Sequence, residues 1–308
     1  MQSPWGEIEV ADAHVHFFSH GFFSALAAQK SNPSARETAA SIAGQLGWQA
    51  PPPDDEALAA AWVRELDRWG VARASLIASV PGDEGSVATA VCRHPDRLYG
   101  YFMVNPLAPD ALERVGTGLG EGRLRCVCLF PAMHRFSIQD ERERSLLELA
   151  ASHNALVFVH CGVLTVGVRV KLGLPSPFDM RYSNPIDLHA VALAFPKLRF
   201  VIPHFGAGYF REALMLCDLS PNVYLDTSSS NSWTRYQPEP LELSQVFRRA
   251  LDVLGPHRLL FGTDSSYFPR GWHSAIFESQ SRALAEIGIS AGDARRIFGG
   301  NLMELLSG

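Results

Sequence analysis

The 308-residue sequence lacks the features that mark membrane-spanning and nucleic-acid-binding proteins. No run approaches the roughly 20 consecutive apolar residues that a membrane span requires. The formal net charge is −5 and no basic cluster runs along the chain, which argues against nucleic acid or a membrane surface as a partner. The first seven residues, MQSPWGE, have neither the cationic start nor the apolar core of a signal peptide. We therefore expect a cytoplasmic protein.

Cysteine is also sparse, and its spacing excludes a disulfide framework. The five cysteines are scattered through a long chain, and no Cys-x-x-Cys pair occurs. An odd, dispersed set of this kind is not typical of a disulfide-stabilised scaffold. Cys126 and Cys128 share one face of a predicted strand, and we interpret them as buried apolar groups rather than metal ligands.

Strand-like and helix-like segments alternate along nearly the whole chain. Hydrophobic residues make up 47% of the sequence, enough for a substantial core. Residues 17–53 interrupt the rhythm with several aromatic residues and a run of three prolines, and we interpret them as an insertion with some helix. The alternatives for this insertion are a cap over the first strand's end and a contact between two copies of the chain. The predicted strands are residues 8–14, 71–80, 97–105, 123–130, 155–159, 198–203, 223–225 and 258–262.

Eight strand–helix units predict a (β/α)8 barrel in one domain spanning residues 1–308. Alternation of this kind indicates a parallel sheet, and the competing arrangement is an open, doubly wound sheet. Two observations favour the barrel. No Gly-x-Gly-x-x-Gly follows the first strand, and the polar clusters lie at the carboxyl ends of strands, where barrel enzymes carry their active sites.

A candidate metal site follows from residues at four of these strand ends. Asp12, His14 and His16 lie on one face of the first strand, because side chains alternate along a strand. Single polar groups then follow three later apolar runs: His160, His204 and Asp264. Buried groups of this kind are costly unless they are paired or ligated, so we predict that they converge.

The donor set of imidazole nitrogen and carboxylate oxygen predicts one divalent metal ion. Zinc suits these donors best, with manganese, iron and cobalt as alternatives. Such an ion would generate a nucleophilic water at neutral pH. Asp264 could then both contact the metal and accept the water's proton, while His204 polarises the substrate oxygen or holds the water in line.

The motifs DAHVH at 12–16, VHCG at 159–162, PHFG at 203–206 and FGTD at 261–264 resemble, in this order, the amidohydrolase superfamily. The similar branch is the amidohydrolase-related group that includes aminocarboxymuconate semialdehyde decarboxylase, and the C-terminal GGNLMELL also resembles that group. The resemblance covers nearly the whole chain. It implies that His14, His16, His160 and Asp264 are metal ligands and that His204 is a catalytic histidine beside the metal.

The predicted fourth strand lacks the lysine that many members of this superfamily use to bind two metal ions. Many dinuclear members of the superfamily carry a carboxylated lysine on the fourth strand. This chain has only Lys30, Lys171 and Lys197, and none lies on the predicted strand at 123–130. A lysine-bridged pair of metals is therefore excluded, and we expect a mononuclear site.

Loop residues after the strands are candidates for contacting the substrate. Cationic and aromatic side chains in these loops would suit a planar or carboxylate-bearing small molecule, because arginine binds carboxylates bidentately. For His134 the alternative is a loop histidine bonded to backbone. The predicted substrate-binding residues are His134, Arg169, Arg181, Tyr182, Trp233 and Arg270.

These observations predict a mononuclear metal-dependent hydrolase that acts on an amide, lactone or ester of a small carboxylic acid. Non-oxidative decarboxylation of an aromatic or unsaturated acid is the alternative reaction, because it needs nearly the same ligands. An inactive barrel that only binds a ligand is the third interpretation, and metal analysis would distinguish it.

Overall fold

A computed structural model describes residues 1–30, 37–176, 178–228 and 232–307. Nine parallel strands form one sheet in the order β8-β7-β6-β5-β4-β3-β2-β1-β9, and a separate two-stranded antiparallel pair, Gln2–Ser3 and Gly6–Glu7, precedes it. The nine strands are β1 Ala11–Phe17, β2 Arg73–Ala78, β3 Leu98–Val104, β4 Cys126–Leu129, β5 Leu156–Val159, β6 Arg199–Ile202, β7 Val223–Asp226, β8 Leu259–Leu260 and β9 Ser265–Ser266.

The two shortest strands, β8 and β9, together occupy the position of the eighth strand in a barrel. β8 pairs with β7 and β9 pairs with β1, so the four residues between them pass from one edge of the sheet to the other. Two backbone hydrogen bonds close this gap: Ala13 N–H donates to Phe261 O at 2.8 Å, and Asp264 N–H donates to His14 O at 3.0 Å. The predicted (β/α)8 barrel is confirmed.

The described residues form fifteen α-helices. Helices follow most of the strands, as the predicted alternation of strands and helices requires. α3 shows why its ends lie where they do: the Asp54 side chain accepts the Glu56 N–H at the start, and Gly70 ends the helix in a left-handed conformation. The helices are α1 His20–Gln29, α2 Ala39–Leu46, α3 Asp55–Trp69, α4 Glu84–Arg93, α5 Ala111–Leu119, α6 Pro131–His134, α7 Glu141–Ser152, α8 Gly167–Lys171, α9 His189–Ala194, α10 Phe210–Leu219, α11 Leu243–Leu254, α12 Tyr267–Arg270, α13 Ser274–Glu286, α14 Ala291–Arg295 and α15 Asn301–Ser307.

Three of the differences from the sequence-based prediction concern the first strand and the segment after β5. The first strand runs three residues further along the chain than 8–14, because β2 and β9 continue its hydrogen bonding on both sides as far as Phe17 and His16. The sequence predicts a long loop over 162–184, and in the structure this segment contains helix α8. The sequence also predicts a helix over 185–195 with Pro185 as its first residue, and in the structure this segment begins as a 3₁₀ turn, Pro185–Leu188, before α9.

Side chains fill the barrel on its inner and outer faces in alternation. On β4, Cys126 and Cys128 belong to the interior cluster, whereas Val127 and Leu129 pack outward toward the helices. All five cysteines are free, as the sequence predicted. In the interior cluster, leucines of α15 pack with Ala11, the first residue of β1. Helix α15 therefore covers the amino ends of the strands and leaves the carboxyl ends as the open face.

The insertion at 17–53 contributes α1 and α2. Their apolar side chains form a small cluster with α8, separate from the two clusters of the barrel. Among the helices described, none is long and apolar enough to cross a membrane.

Candidate metal centre and its cavity

His14, His16 and Asp264 meet at the carboxyl ends of the strands. The two histidines lie two positions apart on β1, so both side chains lie on the same face of the strand. Asp264 lies in the turn between β8 and β9 with a φ of 57°, a left-handed conformation that is uncommon for residues other than glycine. Its backbone hydrogen bond to His14 O holds this turn against β1.

The three side chains bring their ligand atoms to one point. Asp264 Oδ1 lies 3.6 Å from His14 Nε2 and 3.0 Å from His16 Nε2. One ligand atom from each residue lies within 4.8 Å of the others. The structure therefore brings together three of the four predicted metal ligands.

Hydrogen bonds on the far side of each ring assign its tautomer. His14 Nδ1 lies 2.6 Å from the Asp226 carboxylate, so Nδ1 carries the proton. His16 Nδ1 lies 2.7 Å from Ser79 Oγ, and that hydroxyl already donates to Ile77 O at 3.0 Å. When the hydroxyl proton is donated to Ile77 O, Ser79 accepts from His16 Nδ1–H. In the neutral form of both rings, the lone pair is on Nε2 and faces Asp264.

With these tautomers, the three acceptors face one another, and a cation among them would stabilise the arrangement. Two imidazole lone pairs and a carboxylate oxygen repel one another at these distances unless positive charge lies between them. A proton on an imidazole or a metal ion would supply it. Because the donor set is two nitrogens and one oxygen, it fits the divalent ions that histidine and aspartate bind.

His160 and His204 lie beside this cluster rather than within it. The His204 ring centroid is 5.0 Å from that of His14 and 5.4 Å from that of His160. His160 stacks on Phe130 at 5.3 Å, is only 5% exposed, and has a buried Nδ1 with no hydrogen-bond partner among the described residues. An unsatisfied buried nitrogen at this place is consistent with a ligand that is still to be supplied.

Ser228 connects two of the histidine rings. Its hydroxyl lies 3.0 Å from His14 Nδ1 and 2.9 Å from His204 Nδ1, and its carbonyl oxygen lies 3.2 Å from His204 Nδ1. A carbonyl can only accept, so Nδ1 of His204 carries the proton and Nε2 carries the lone pair.

Burial and neighbouring charges shift the pKa values of the site histidines and of Asp264. Burial lowers the pKa of His160 well below its usual range, and it also lowers the pKa of His204. Burial would lower the pKa of His14, but the carboxylates of Asp226, Asp264 and Asp12 together outweigh it, and the net shift is upward. Burial would raise the pKa of Asp264, but the hydrogen bond with His16 and the nearby imidazoles bring it below its ordinary value. At neutral pH, Asp264 is therefore ionised, and His160 and His204 are neutral.

Asp12 connects β1 to the turn that carries Asp264, although its own carboxylate is not part of the ligand cluster. Its buried carboxylate accepts from the backbone N–H groups of His14 and Thr263, from the Thr263 hydroxyl, and from Trp272 Nε1–H. Because Thr263 precedes Asp264, this carboxylate holds the turn that carries the third ligand. Trp272 is 2% exposed and belongs to this support.

A cavity of about 900 Å³ opens above the ligand cluster, and the five histidine and aspartate side chains of the site lie in its wall. Four predicted substrate-binding residues also line it: His134, Arg169, Trp233 and Arg270. Burial lowers the pKa of His134 to about 4, so this ring is neutral and offers a hydrogen bond rather than a charge.

Arg181 and Tyr182 do not line this cavity. The Arg181 side chain is 81% exposed and forms an ion pair with Asp179 at 2.6 Å, and its guanidinium lies over the Tyr182 ring. Both residues lie on a short 3₁₀ turn at the surface, a position that sequence spacing alone could not distinguish from the cavity rim.

Several site residues were not predicted from the sequence. Asp226 ends β7 directly after an apolar run, the same signal that identified His160 and Asp264, and this signal could have found it. Ser79 and Ser228 follow β2 and β7, but a serine in a loop is too common to indicate a functional site. Trp48 and Lys171 line the cavity from the insertion and from α8.

The comparisons with known proteins agree with this geometry. A family model described as Amidohydrolase matches residues 11–307. Among curated proteins, the fluG protein of Emericella nidulans is 32% identical over 87 residues, which is 28% of this chain and 10% of that protein. The chain therefore spans only a small part of that relative's length.

Two solved structures illustrate the range of reactions found on this fold. A 5-carboxyvanillate decarboxylase from Novosphingobium aromaticivorans, with bound manganese and a nitrobenzoic acid, aligns with a TM-score of 0.63 at 14% identity, over 99% of this chain and 98% of that one. A probable 2-pyrone-4,6-dicarboxylic acid hydrolase from Acinetobacter baumannii, with bound citric acid, gives 0.60 at 16% identity, over 98% and 100%. At these identities the likeness shows the fold.

Proposed function

Since the chain belongs to the amidohydrolase family and is therefore an enzyme, we propose that it is a mononuclear metal-dependent hydrolase. Its substrate is an amide, lactone or ester of a small carboxylic acid. The observation that carries this proposal is the convergence of His14 Nε2, His16 Nε2 and Asp264 Oδ1 at the floor of an open cavity.

His14, His16 and Asp264 would hold the ion, and His160 would complete the set. A divalent ion in this place supplies Lewis acidity, which polarises a substrate oxygen and makes water a nucleophile at neutral pH. Zinc, manganese, iron and cobalt all suit these donors. β4, Cys126–Leu129, contains no lysine that could bridge a second ion.

Asp264 and His204 divide the proton handling between them. Asp264 is ionised at neutral pH, so its carboxylate can accept a proton from the attacking water and return it to the leaving group. His204 has its Nδ1–H bonded to Ser228 O, which leaves the Nε2 lone pair to accept a hydrogen bond from that water. The geometry favours the water-holding role of His204 over polarisation of the substrate oxygen, because that second role needs a proton on Nε2.

The charge of the cavity favours a carboxylate substrate. Arg169, Lys171, Arg235 and Arg270 line the cavity, whereas Asp264 is its single acidic residue among the described residues. None of these four cations forms an ion pair within the described part of the chain, although many arginines elsewhere do. A protein with a net charge of −5 thus presents a cationic cavity.

Decarboxylation of an aromatic acid is the second candidate, and the shape of the cavity wall supports it. Phe18 stacks on His16 with ring centroids 5.6 Å apart and planes 29° apart. This places an aromatic ring directly beside the ligand cluster, where an aromatic acid would find an apolar contact. The fold shared with a decarboxylase of an aromatic acid agrees with this alternative.

Turnover assays on the metal-reconstituted protein distinguish these candidates. We expect hydrolysis within a panel of lactones, aryl esters and amides of small acids, and no release of carbon dioxide from a matching panel of aromatic acids. Release of carbon dioxide without hydrolysis would replace the first candidate by the second. Absence of both activities together with absence of bound metal would support an inactive ligand-binding barrel.

Two substitutions test the assignment of residues in the active reaction. His160→Ala and Asp264→Ala are expected to abolish turnover while the circular dichroism spectrum stays unchanged, because each removes a ligand at an open cavity floor. His153→Ala is the control, since this histidine is exposed at the end of α7. If the His160→Ala variant retains turnover like the control, the role proposed for His160 is wrong.

A further inference from the structure

We propose that the cavity contains a second subsite, remote from the ligand cluster, that binds an anionic group at the far end of an elongated substrate. The subsite is formed by the cap, which we define as α1, α2, Trp48 and α8. This inference rests on the proposed function, because it assumes that the reacting group lies at His14, His16 and Asp264.

The cap is a structural unit of its own. Its core contains Phe23 and Ile42 from the insertion and Val168 and Leu172 from α8, and it is separate from both clusters of the barrel. Ser19 anchors the start of α1 by donating to Asp83 at 2.6 Å and accepting from Phe22 N–H. Two distant segments of the chain therefore pack together over one side of the cavity.

A row of nearly parallel rings leads from the ligand cluster into the cap. Phe18 stacks on His16 at 5.6 Å, Phe22 stacks on Phe18 at 4.1 Å with planes 4° apart, and Trp48 lies 6.4 Å from Phe18 with planes 12° apart. All four rings line the cavity. From His16 to Trp48 the row spans no more than about 12 Å. An apolar wall of this length can pack against the body of an aromatic substrate.

Two cations stand at the cap end of this row without an acidic partner. Lys171 Nζ lies 5.6 Å above the Trp48 ring and forms no ion pair among the described residues. Arg169 bonds only to neutral acceptors, the Gln29 side chain at 2.5 Å and Pro175 O. Both line the cavity. Their charge is therefore available to an anion that lies along the aromatic wall.

The position of these charges defines the chemical class of the substrate. An acid whose only charged group is the reacting one would place no anion beside Lys171 and Arg169. A substrate with a carboxylate at the end opposite the reacting bond, joined through a planar apolar body, would contact the ligand cluster, the ring row and the cap cations together. We therefore infer a substrate with two separated functional ends rather than a small monoacid.

Binding of three probes to the metal-loaded protein tests this inference by calorimetry. The probes are benzoate, biphenyl-4-carboxylate and biphenyl-4,4′-dicarboxylate, which add first the apolar body and then the distal charge. We expect the dicarboxylate to bind roughly three- to tenfold tighter than the monocarboxylate, the gain expected for a partly exposed charge pair. Lys171→Gln should remove this preference while the affinity for the monocarboxylate stays nearly unchanged.

Lys197→Gln is the matched control, because Lys197 is an exposed lysine that does not line the cavity. Equal affinities for the two biphenyl acids, no binding of any probe, or equal effects of the two lysine variants would overturn the subsite. The proposed function would survive each of these results, since it is tested by metal content and by the His160→Ala and Asp264→Ala variants. Loss of metal binding with a retained dicarboxylate preference would refute the function and leave the subsite.

Discussion

The residues behind the histidines determine what the site can bind. His14 and His16 present lone pairs to the ligand point only because Asp226 and Ser79 hold the protons on the opposite nitrogens. Partners of this kind orient metal-binding imidazoles and raise their basicity. The ligand cluster is therefore specified by five side chains, of which three provide the converging ligand atoms.

Replacing Asp226 is expected to weaken metal binding without removing a ligand. In Asp226→Ala, His14 loses the acceptor that fixes its tautomer, and we expect the affinity for zinc to fall by about 10- to 100-fold. Competition with a chelating dye measures this affinity directly. Ser75→Ala is the control, because Ser75 is a buried hydroxyl on β2 that does not line the cavity. Equal affinities in the two variants would show that Asp226 does not orient His14.

The sequence predicts ligands better than it predicts their support. His14 and His16 share one face of a strand and Asp264 follows an apolar run, and these signals need only strand periodicity and the fold class. The contacts of Asp226 and Ser228 depend on the rotation of imidazole rings and on how neighbouring strands are offset, neither of which is encoded locally. The same limit explains Arg181, whose loop position was right but whose side chain pairs with Asp179 at the surface.

At the scale of single elements, α7 contains a buried carboxyl group that has no hydrogen-bond partner among the described residues. Glu143 lies in its first turn, is 1% exposed, and neither of its carboxylate oxygens has a hydrogen-bond partner among the described residues. Burial raises the pKa of Glu143 to about 7. The folded protein therefore holds the proton more tightly than the unfolded chain, in which the ordinary value of 4.5 applies.

This shift predicts a pH-dependent stability. A raised carboxyl pKa stabilises the folded state below about 4.5, and this contribution is lost as the pH rises toward about 7. Glu143→Gln removes the ionisation, so its unfolding free energy relative to the native protein should increase across this window and stay constant above it. Urea unfolding at pH 5 and pH 8 measures the change, which we expect to be about 1–3 kcal/mol.

Glu148→Gln on the same helix provides the comparison, because Glu148 is exposed and paired with Arg144. Its effect on stability should be small and nearly independent of pH. If Glu143→Gln behaves in the same way, the Glu143 carboxyl is solvated in the folded protein and the description of α7 must change.

Elements with strong periodicity were predicted within one or two residues, and irregular ones were not. Apolar positions in residues 139–153 repeat at helical spacing and predict a helix there, and α7 is observed at Glu141–Ser152. The eighth barrel strand was expected at 258–262 but is divided into β8 and β9 around a turn. That division depends on Asp12 accepting hydrogen bonds from Thr263, which is 251 residues away in sequence.

At the scale of the whole molecule, the two ends of the barrel have different roles. Helix α15 fills the end at which the strands begin, and the cavity occupies the end at which they finish. Residues separated by 250 positions in the chain, His14 and Asp264, are neighbours because β1 pairs with β9. The cap adds a second wall to the cavity, and the segment at 17–53 was expected from its aromatic content to be such an insertion.

Metal content measures the central claim most directly. The purified protein, reconstituted with zinc and freed of excess ion, should contain one divalent ion per chain by elemental analysis, the number that a mononuclear histidine–carboxylate site holds. His14→Ala and Asp264→Ala should each retain little metal while their folding, followed by circular dichroism, is preserved. A reconstituted native protein with almost no bound metal, or a His14→Ala variant with the same content as the native protein, would contradict the account.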